Sequence, residues 1–276
     1  MPKASDADAV VDSMRYARGI TITRHADYTV VELRDPWNEG RMLQRYLLVP
    51  RSAAALPEGM PEGTLVRTPL RRIVVYTSVH CALLDELGAT ESIAGVCESR
   101  YVHVEPVLRG LQDGSVADLG EATSPDVEGM IRIGTEAILA SPFQNAGYGP
   151  AEKIGLPIIE CADYMEADPL GRTEWIRFLG LLTGHEATAD SLFRATEAAY
   201  LSVRALADSV TSRPPSSSAR SMALPGMCPT ARATWPASIA TPAPTTSSAT
   251  CPARAAPPSP SRPSSTAPCT PTSGSS

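Results

Sequence analysis

The stretch from residue 72 to residue 96 constrains the fold of this chain more than any other part of the sequence. An apolar run of strand length at 73–76 is followed by a polar Thr-Ser pair. An amphipathic segment at 81–87 comes next, and a second apolar run occupies 93–96. This order is typical of a strand, a turn, a helix and a strand. Because so short a helix cannot bury its apolar face alone, we expect the two strands to lie parallel in one sheet with the helix packed across it.

The sequence before this unit predicts an antiparallel region. Residues 20–23 and 28–33 alternate apolar and polar side chains, which predicts a hairpin with its turn at 25–27. Residues 45–49 predict one more strand, and the proline and glycine residues between 50 and 69 predict a loop.

After residue 96 the alternation of short predicted strands and helices continues to about residue 210. A helix-like segment ends at Leu111, residues 114–126 form a connection, and Ser124, Pro125 and Asp126 cap the start of the next helical turn. The further predicted segments are strands at 137–140 and 156–161, a helical turn at 151–155, and a long helical region from Pro169 to about 210 with an interruption at 183–185. The predicted fold class is therefore α/β with a parallel sheet and a long final helix.

Composition divides the chain near residue 210. From Val210 onward there is no Asp, Glu, Lys, Phe or Tyr, and Pro, Ser, Thr and Ala dominate, so we expect only the part before it to build a core. We divide the chain into a lead-in with antiparallel strands (1–69), a first lobe (70–188), a long helix (189–210) and a disordered tail (211–276).

Charge and cysteine content argue against several classes of protein. A net charge of −6, with arginines scattered among acids, disfavours a nucleic-acid surface. There is no CxxC pair, and Cys81, Cys97 and Cys161 lie in or beside apolar runs, so we interpret them as buried free thiols. The first 14 residues contain no apolar stretch of the signal-peptide kind and no window approaches a membrane span, which as written predicts a cytoplasmic chain.

The sequence contains no GxGxxG after a strand, no GxxxxGK[ST] and no GxSxG motif. Thr77, Ser78, His80 and Cys81 fall at a strand-to-helix turn, where a nucleophile can be held at a helix N-terminus. An enzyme with Ser78 or Cys81 as nucleophile is therefore one alternative. The other interpretation, which we favour, is that these residues cap and begin the helix.

Metal-binding signals are weak as well. The four histidines share no ligand-like spacing. Asp163, Glu166 and Asp168 form a small acidic cluster that we interpret as a solvated loop. We therefore predict no metal site and no cofactor.

Topology indicates where a ligand would bind. In an open parallel sheet, ligands bind beyond the carboxyl ends of the strands. The residues expected there belong to four loops, which begin at Thr77, Glu98, Phe143 and Asp163. The predicted ligand-binding residues are Thr77, Ser78, Ser99, Tyr101, Phe143, Gln144 and Tyr164.

Four segments carry a resemblance to a known family. They are RRIVVYTSVHCALLDELGATESIAGV, SPDVEGMIRIGTEAILASPF, EKIGLPIIECADY and PLGRTEWIRFLGLLTGHEATADSLF. In this order and spacing they resemble the substrate-binding proteins of ABC importers for ferric siderophores, haem and cobalamin. The resemblance implies two Rossmann-like lobes joined by one long rigid helix, with the ligand held between the lobes; residues 189–210 match that helix.

The resemblance also implies a function. It implies a non-enzymatic, monomeric receptor that hands a metal chelate or corrinoid to a membrane permease, with a periplasmic or lipoprotein location. Glu105, beside Pro106, matches a first-lobe carboxylate that docks on permease arginines. The ligand itself is not implied, because the rim residues vary within the family.

The chain departs from this family at both ends, since the signal peptide and the second lobe are missing. If the tail codons are read two bases later, Ser codons give Val, Ile, Leu or Phe and Thr codons give Asp, Tyr, His or Asn. The resulting strings resemble the second lobe, which predicts a frameshift near Pro214 and a truncated, impaired product. The alternatives are a genuine Pro/Ser/Thr-rich linker and a nonfunctional fragment.

Overall fold

The computed structural model describes residues 10–12 and 14–209. The predictions for the tail, including its disorder and the frameshift, fall on residues outside this range. No helix among the described residues is long and apolar enough to cross a membrane.

The lead-in forms a five-stranded sheet in the order β1-β2-β3-β4-β5. Its strands are β1 Val10–Asp12, β2 Ile20–Arg24, β3 Thr29–Arg34, β4 Met42–Pro50 and β5 Thr64–Thr68. The first four strands pair antiparallel, and β5 pairs parallel with β4. The predicted hairpin is confirmed, with alternate residues such as Ile22 and Val31 buried.

The prediction of a loop from 50 to 69 is wrong at its end, because β5 occupies five of those residues. The residues that favour a loop, Gly59, Pro61 and Gly63, all precede β5. The strand is specified by its partner, since Leu65 and Val66 pair with Leu47 and Leu48 of β4.

The second sheet is parallel and has the order β12-β11-β6-β7-β8. Its strands are β6 Ile73–Val75, β7 Ile93–Val96, β8 Ala117–Asp118, β11 Ala137–Ala140 and β12 Ile158–Glu160. The short strands β9 Gly120–Glu121 and β10 Ser124–Pro125 pair with each other beside it. The predicted parallel unit around β6 and β7 is confirmed, whereas the connection predicted at 114–126 contains three short strands that were missed.

Six α-helices complete the described chain. They are α1 Ser78–Glu86, α2 Glu105–Asp113, α3 Val127–Arg132, α4 Pro169–Glu174, α5 Ile176–Thr183 and α6 Glu186–Asp208. The predicted cap is confirmed, because the Asp126 carboxylate accepts a hydrogen bond from the Gly129 N–H at 2.9 Å. The helical turn predicted at 151–155 is a 3₁₀ helix, Gly149–Lys153.

Both faces of the parallel sheet are covered, as parallel sheets require. Val75 and Leu139 face the larger core with Phe178, while Val74 and Ile138 face a smaller core. The antiparallel sheet joins the larger core, and the buried Tyr46 hydroxyl donates to the Ile158 carbonyl at 2.9 Å. This contact holds the two sheets together at β12.

Helix α6 is packed only along its first half. Ala189 and Phe193 are buried against the lobe. Every residue from 201 to 209 is exposed, including the large apolar side chains of Leu201, Val203 and Leu206.

Candidate functional site

The structure brings all seven predicted ligand-binding residues to one edge of the parallel sheet. Thr77 and Ser78 follow β6, and Ser99 and Tyr101 follow β7. The loops after β11 and β12 supply the other three residues, Phe143, Gln144 and Tyr164. The carboxyl ends of four neighbouring strands therefore carry these residues together, and their role in binding stays a prediction.

Exposed apolar side chains concentrate at this edge. Between residues 70 and 170 the exposed large hydrophobic side chains are Val79, Tyr101, Ile131, Phe143 and Met165. All except Ile131 lie at the carboxyl edge, one following each of the strands β6, β7, β11 and β12. We call these four side chains the apolar rim. These four exposed side chains make the carboxyl edge the candidate binding surface of the described residues.

Two rim residues, Val79 and Met165, were not among the predicted ligand-binding residues. Each stands directly between two polar or charged residues shortly after a strand, which is the signal by which the sequence could reveal them. Val79 is 58% exposed and Met165 is 39% exposed.

The hydroxyl groups of three predicted residues, Thr77, Ser99 and Tyr164, are already engaged within the protein. Ser99 Oγ donates to Asp118 Oδ2 at 2.7 Å, which ties the loop after β7 to β8. The Tyr164 hydroxyl donates to the Pro142 carbonyl, and its ring lies 5.9 Å from the Phe143 ring. These contacts hold neighbouring loops in place. Because the Ser99 and Tyr164 hydroxyl groups already donate within the protein, these two residues have van der Waals surface, but no free hydroxyl hydrogen, for a ligand.

The start of α1 differs in detail from the predicted capping. Thr77 stands at the N-cap position, but its side chain makes no capping hydrogen bond with the helix backbone. Its Oγ1 lies 2.9 Å from Nδ1 of His80, a side chain that is 1% exposed. His80 Nε2 lies 3.8 Å from Asp163 Oδ1, so the start of α1 lies close to the loop after β12.

The proposed nucleophile Cys81 does not fit catalysis. Its side chain is fully buried in the larger core. Burial raises the pKa of its thiol to about 12, so the thiol stays protonated at neutral pH and is a poor nucleophile. Among the described residues, no hydrogen bond joins Ser78 to the buried His80, whose Nδ1 lies 2.9 Å from Thr77 Oγ1.

The acidic cluster is not the solvated loop that we expected. The Glu166 carboxylate accepts hydrogen bonds from the N–H groups of Arg18 and Gly19 and from Trp175 Nε1 at 3.0 Å. Asp168 caps α4 by accepting from the Leu170 N–H at 2.7 Å. Within residues 10–12 and 14–209, no group of three or more His, Cys, Asp or Glu side chains is placed to hold a metal ion.

Glu105 lies in the first turn of α2, and its side chain is 73% exposed. Its Oε1 is 3.7 Å from Arg109 Nε, a solvent-exposed pair that leaves the carboxylate accessible. This exposure is compatible with docking on another protein, and the permease contact stays a prediction.

Comparisons with known proteins match part of the chain. No known protein family profile matches it. Two uncharacterized lipoproteins of Methanocaldococcus jannaschii are similar in sequence, one 24% identical over 141 residues and the other 23% identical over 182 residues. These regions cover 48% and 61% of this chain but only 34% and 45% of the relatives. The chain therefore spans less than half the length of the curated relatives it matches.

Solved structures are similar over about half of each chain. A petrobactin-binding protein from Bacillus subtilis is 21% identical with a TM-score of 0.43, covering 52% of this chain and 49% of that one. A possible iron-binding periplasmic protein from Staphylococcus epidermidis has a TM-score of 0.41, 21% identity and 54% coverage of both chains. A periplasmic vitamin B12 binding protein from Vibrio cholerae has a TM-score of 0.37, 14% identity and coverage of 52% of its length and 51% of this chain. At TM-scores below 0.5 these likenesses assign no ligand to this chain.

Proposed function

We propose that this chain is the substrate-binding component of an ABC importer, with a ferric siderophore, haem or cobalamin as its ligand. The observation that carries the proposal is the apolar rim, in which each of four parallel strands is followed by an exposed apolar or aromatic side chain at its carboxyl end. The four sequence segments that resemble this family of receptors include the four strands and the rim residues Val79 and Phe143. The proposed receptor binds its ligand without catalysis.

The rim suits a large ligand with an extended apolar surface. Tyr101 and Phe143 are 55% and 61% exposed, so each has a substantial part of its ring available for contact. Aromatic rings in such positions supply much of the contact area of a binding site. A chelate, porphyrin or corrin large enough to touch several loops at once removes this surface from water, and burial at about 25 cal/mol per Å² favours the complex.

In this proposal the lobe forms one wall of a ligand-binding cleft, and α6 connects it to a second lobe that forms the other wall. Its second half is exposed and carries Leu201, Val203 and Leu206, which a second lobe would cover. We further propose that residues from about 214 onward are an out-of-frame reading of the second lobe's codons. Sequencing the gene across the codons for residues 209–218 and beyond the stop tests this, since an unaltered reading frame would refute it.

The proposed partners and location follow from the same role. A membrane permease would receive the ligand, with the exposed Glu105 carboxylate as a docking group, and the receptor would act as a monomer. The curated relatives are lipoproteins, which supports a membrane-anchored location outside the cytoplasm.

Equilibrium dialysis of the full chain against ferrioxamine B, haemin and cyanocobalamin tests the proposed function. Since one wall of a cleft binds weakly, the titrations extend to millimolar concentrations. We expect one ligand to bind, and the double substitution Tyr101→Ala/Phe143→Ala to weaken its binding at least about tenfold, because each lost aromatic contact removes roughly 1 kcal/mol.

The matched control is Ile131→Ala, which removes an equally exposed apolar side chain from α3, away from the rim. It should leave affinity unchanged. If none of the three ligands binds, or if the control weakens binding as much as the rim variant does, the proposal fails.

A further inference from the structure

A groove of about 480 Å³ lies beside the candidate site. Its walls are the segment before β2, the end of β3 and the loop after β12. Met165 lines the groove and also belongs to the apolar rim, so the two features share one loop.

Two arginines at the groove have guanidinium groups without a partner among residues 10–12 and 14–209. Arg18 and Arg34 are exposed, and their guanidinium groups make no hydrogen bond or ion pair with any residue that the structure describes. Their backbones are adjacent, because the N–H of Arg34 donates to the carbonyl of Gly19 at 2.8 Å. The third arginine of the lining, Arg15, is instead paired with Glu197.

The carboxylates of the lining are already engaged. The Glu166 carboxylate accepts hydrogen bonds from two backbone N–H groups of the segment before β2, those of Arg18 and Gly19, and from Trp175 Nε1. Asp168 caps α4 through the Leu170 N–H. Because Arg15 is paired with Glu197, which lies outside the lining, the free donors of the groove are the guanidinium groups of Arg18 and Arg34.

We propose that this groove binds a small oxyanion, a carboxylate or phosphate group held by the guanidinium groups of Arg18 and Arg34. Guanidinium groups bind both oxyanions through paired, charge-assisted hydrogen bonds. Binding of a free anion does not depend on the proposed receptor function, whereas binding of the arm of a larger ligand rests on it. The oxyanion is either a free anion or the acidic arm of a larger ligand that occupies the neighbouring rim.

Nitrogen-15 NMR of the full chain tests the proposal. Sodium phosphate and ferric citrate are titrated separately, with sodium chloride at matched ionic strength as the reference, while the arginine Nε–Hε signals are followed. We expect the signals of Arg18 and Arg34 to shift saturably. Arg204, an exposed arginine on α6 remote from the groove in sequence, should not shift.

The variant Arg34→Gln should weaken anion binding about tenfold or more, whereas Arg204→Gln should leave it unchanged. Saturation by phosphate alone identifies a free anion. Shifts with ferric citrate only, together with shifts of Tyr101 and Phe143, identify the arm of a larger ligand. The proposal is overturned if neither titrant gives a saturable shift, or if Arg204→Gln weakens binding as much as Arg34→Gln.

Discussion

The substitution Glu174→Ala offers the sharpest test of how the lead-in is held on the lobe. Glu174 lies on α4 and is completely buried. Its carboxylate accepts backbone N–H bonds from Arg15 at 2.9 Å, Tyr16 at 2.7 Å and Ala17 at 2.9 Å. Since these three residues precede β2, one carboxylate anchors the start of the antiparallel sheet.

The expected loss of stability follows from the three donors. A buried donor left without its partner costs about 1–3 kcal/mol, and bonds to a charged acceptor lie at the upper end. The donors of Arg15 and Tyr16 are only partly buried and can recruit water, so we expect Glu174→Ala to lower the free energy of unfolding by about 3–4 kcal/mol. Glu174→Gln keeps one acceptor oxygen, and we expect a loss of about 1–2 kcal/mol.

Urea denaturation followed by circular dichroism measures these differences. The control is Glu58→Ala, an exposed loop carboxylate that should change stability by less than about 0.5 kcal/mol. A loss below about 1 kcal/mol for Glu174→Ala, or equal losses for Ala and Gln, would refute the anchoring role.

Two further predictions concern buried titratable groups. Burial raises the pKa values of the Cys81 and Cys97 thiols to about 12, so neither thiol should react with iodoacetamide at pH 8 until the protein unfolds. Peptide mass spectrometry measures the labelling, and rapid labelling of the native protein would contradict this prediction. Burial also raises the pKa of Glu160 above its usual 4.5. The folded protein thus holds this proton to a higher pH than the unfolded chain does, and stability is lost as the pH rises through the folded pKa. Glu160→Gln, which keeps an acceptor for the Tyr148 hydroxyl, should match the wild type at pH 4 and be more stable at pH 7 in thermal melts.

The parallel part of the fold was predictable because its strands are buried on both faces. Such strands are continuous apolar runs. The runs at 73–76, 93–96 and 137–140 are separated from one another by segments that contain polar turns. Once the strands are known to be parallel, the rule that ligands bind at their carboxyl ends places the candidate site. The position of the predicted residues at one edge therefore followed from topology alone.

The missed features depend on contacts that no local pattern records. Strand β8 has only two residues and is specified by pairing with β7. Glu166 looks like a surface carboxylate, yet it meets donors nearly 150 positions earlier in the chain. The hydrogen-bond partner of Thr77 could not be predicted from the sequence either, because its hydroxyl contacts His80 instead of capping the helix backbone.

The central claim is that the carboxyl edge of the parallel sheet is the ligand-binding surface. Hydrogen exchange of the full chain with and without a bound ferric chelate tests it most directly. We predict slower exchange in the four loops that follow β6, β7, β11 and β12, with no change in the antiparallel sheet away from the groove. Protection confined to other surfaces, or no protection at saturating chelate, would contradict the claim.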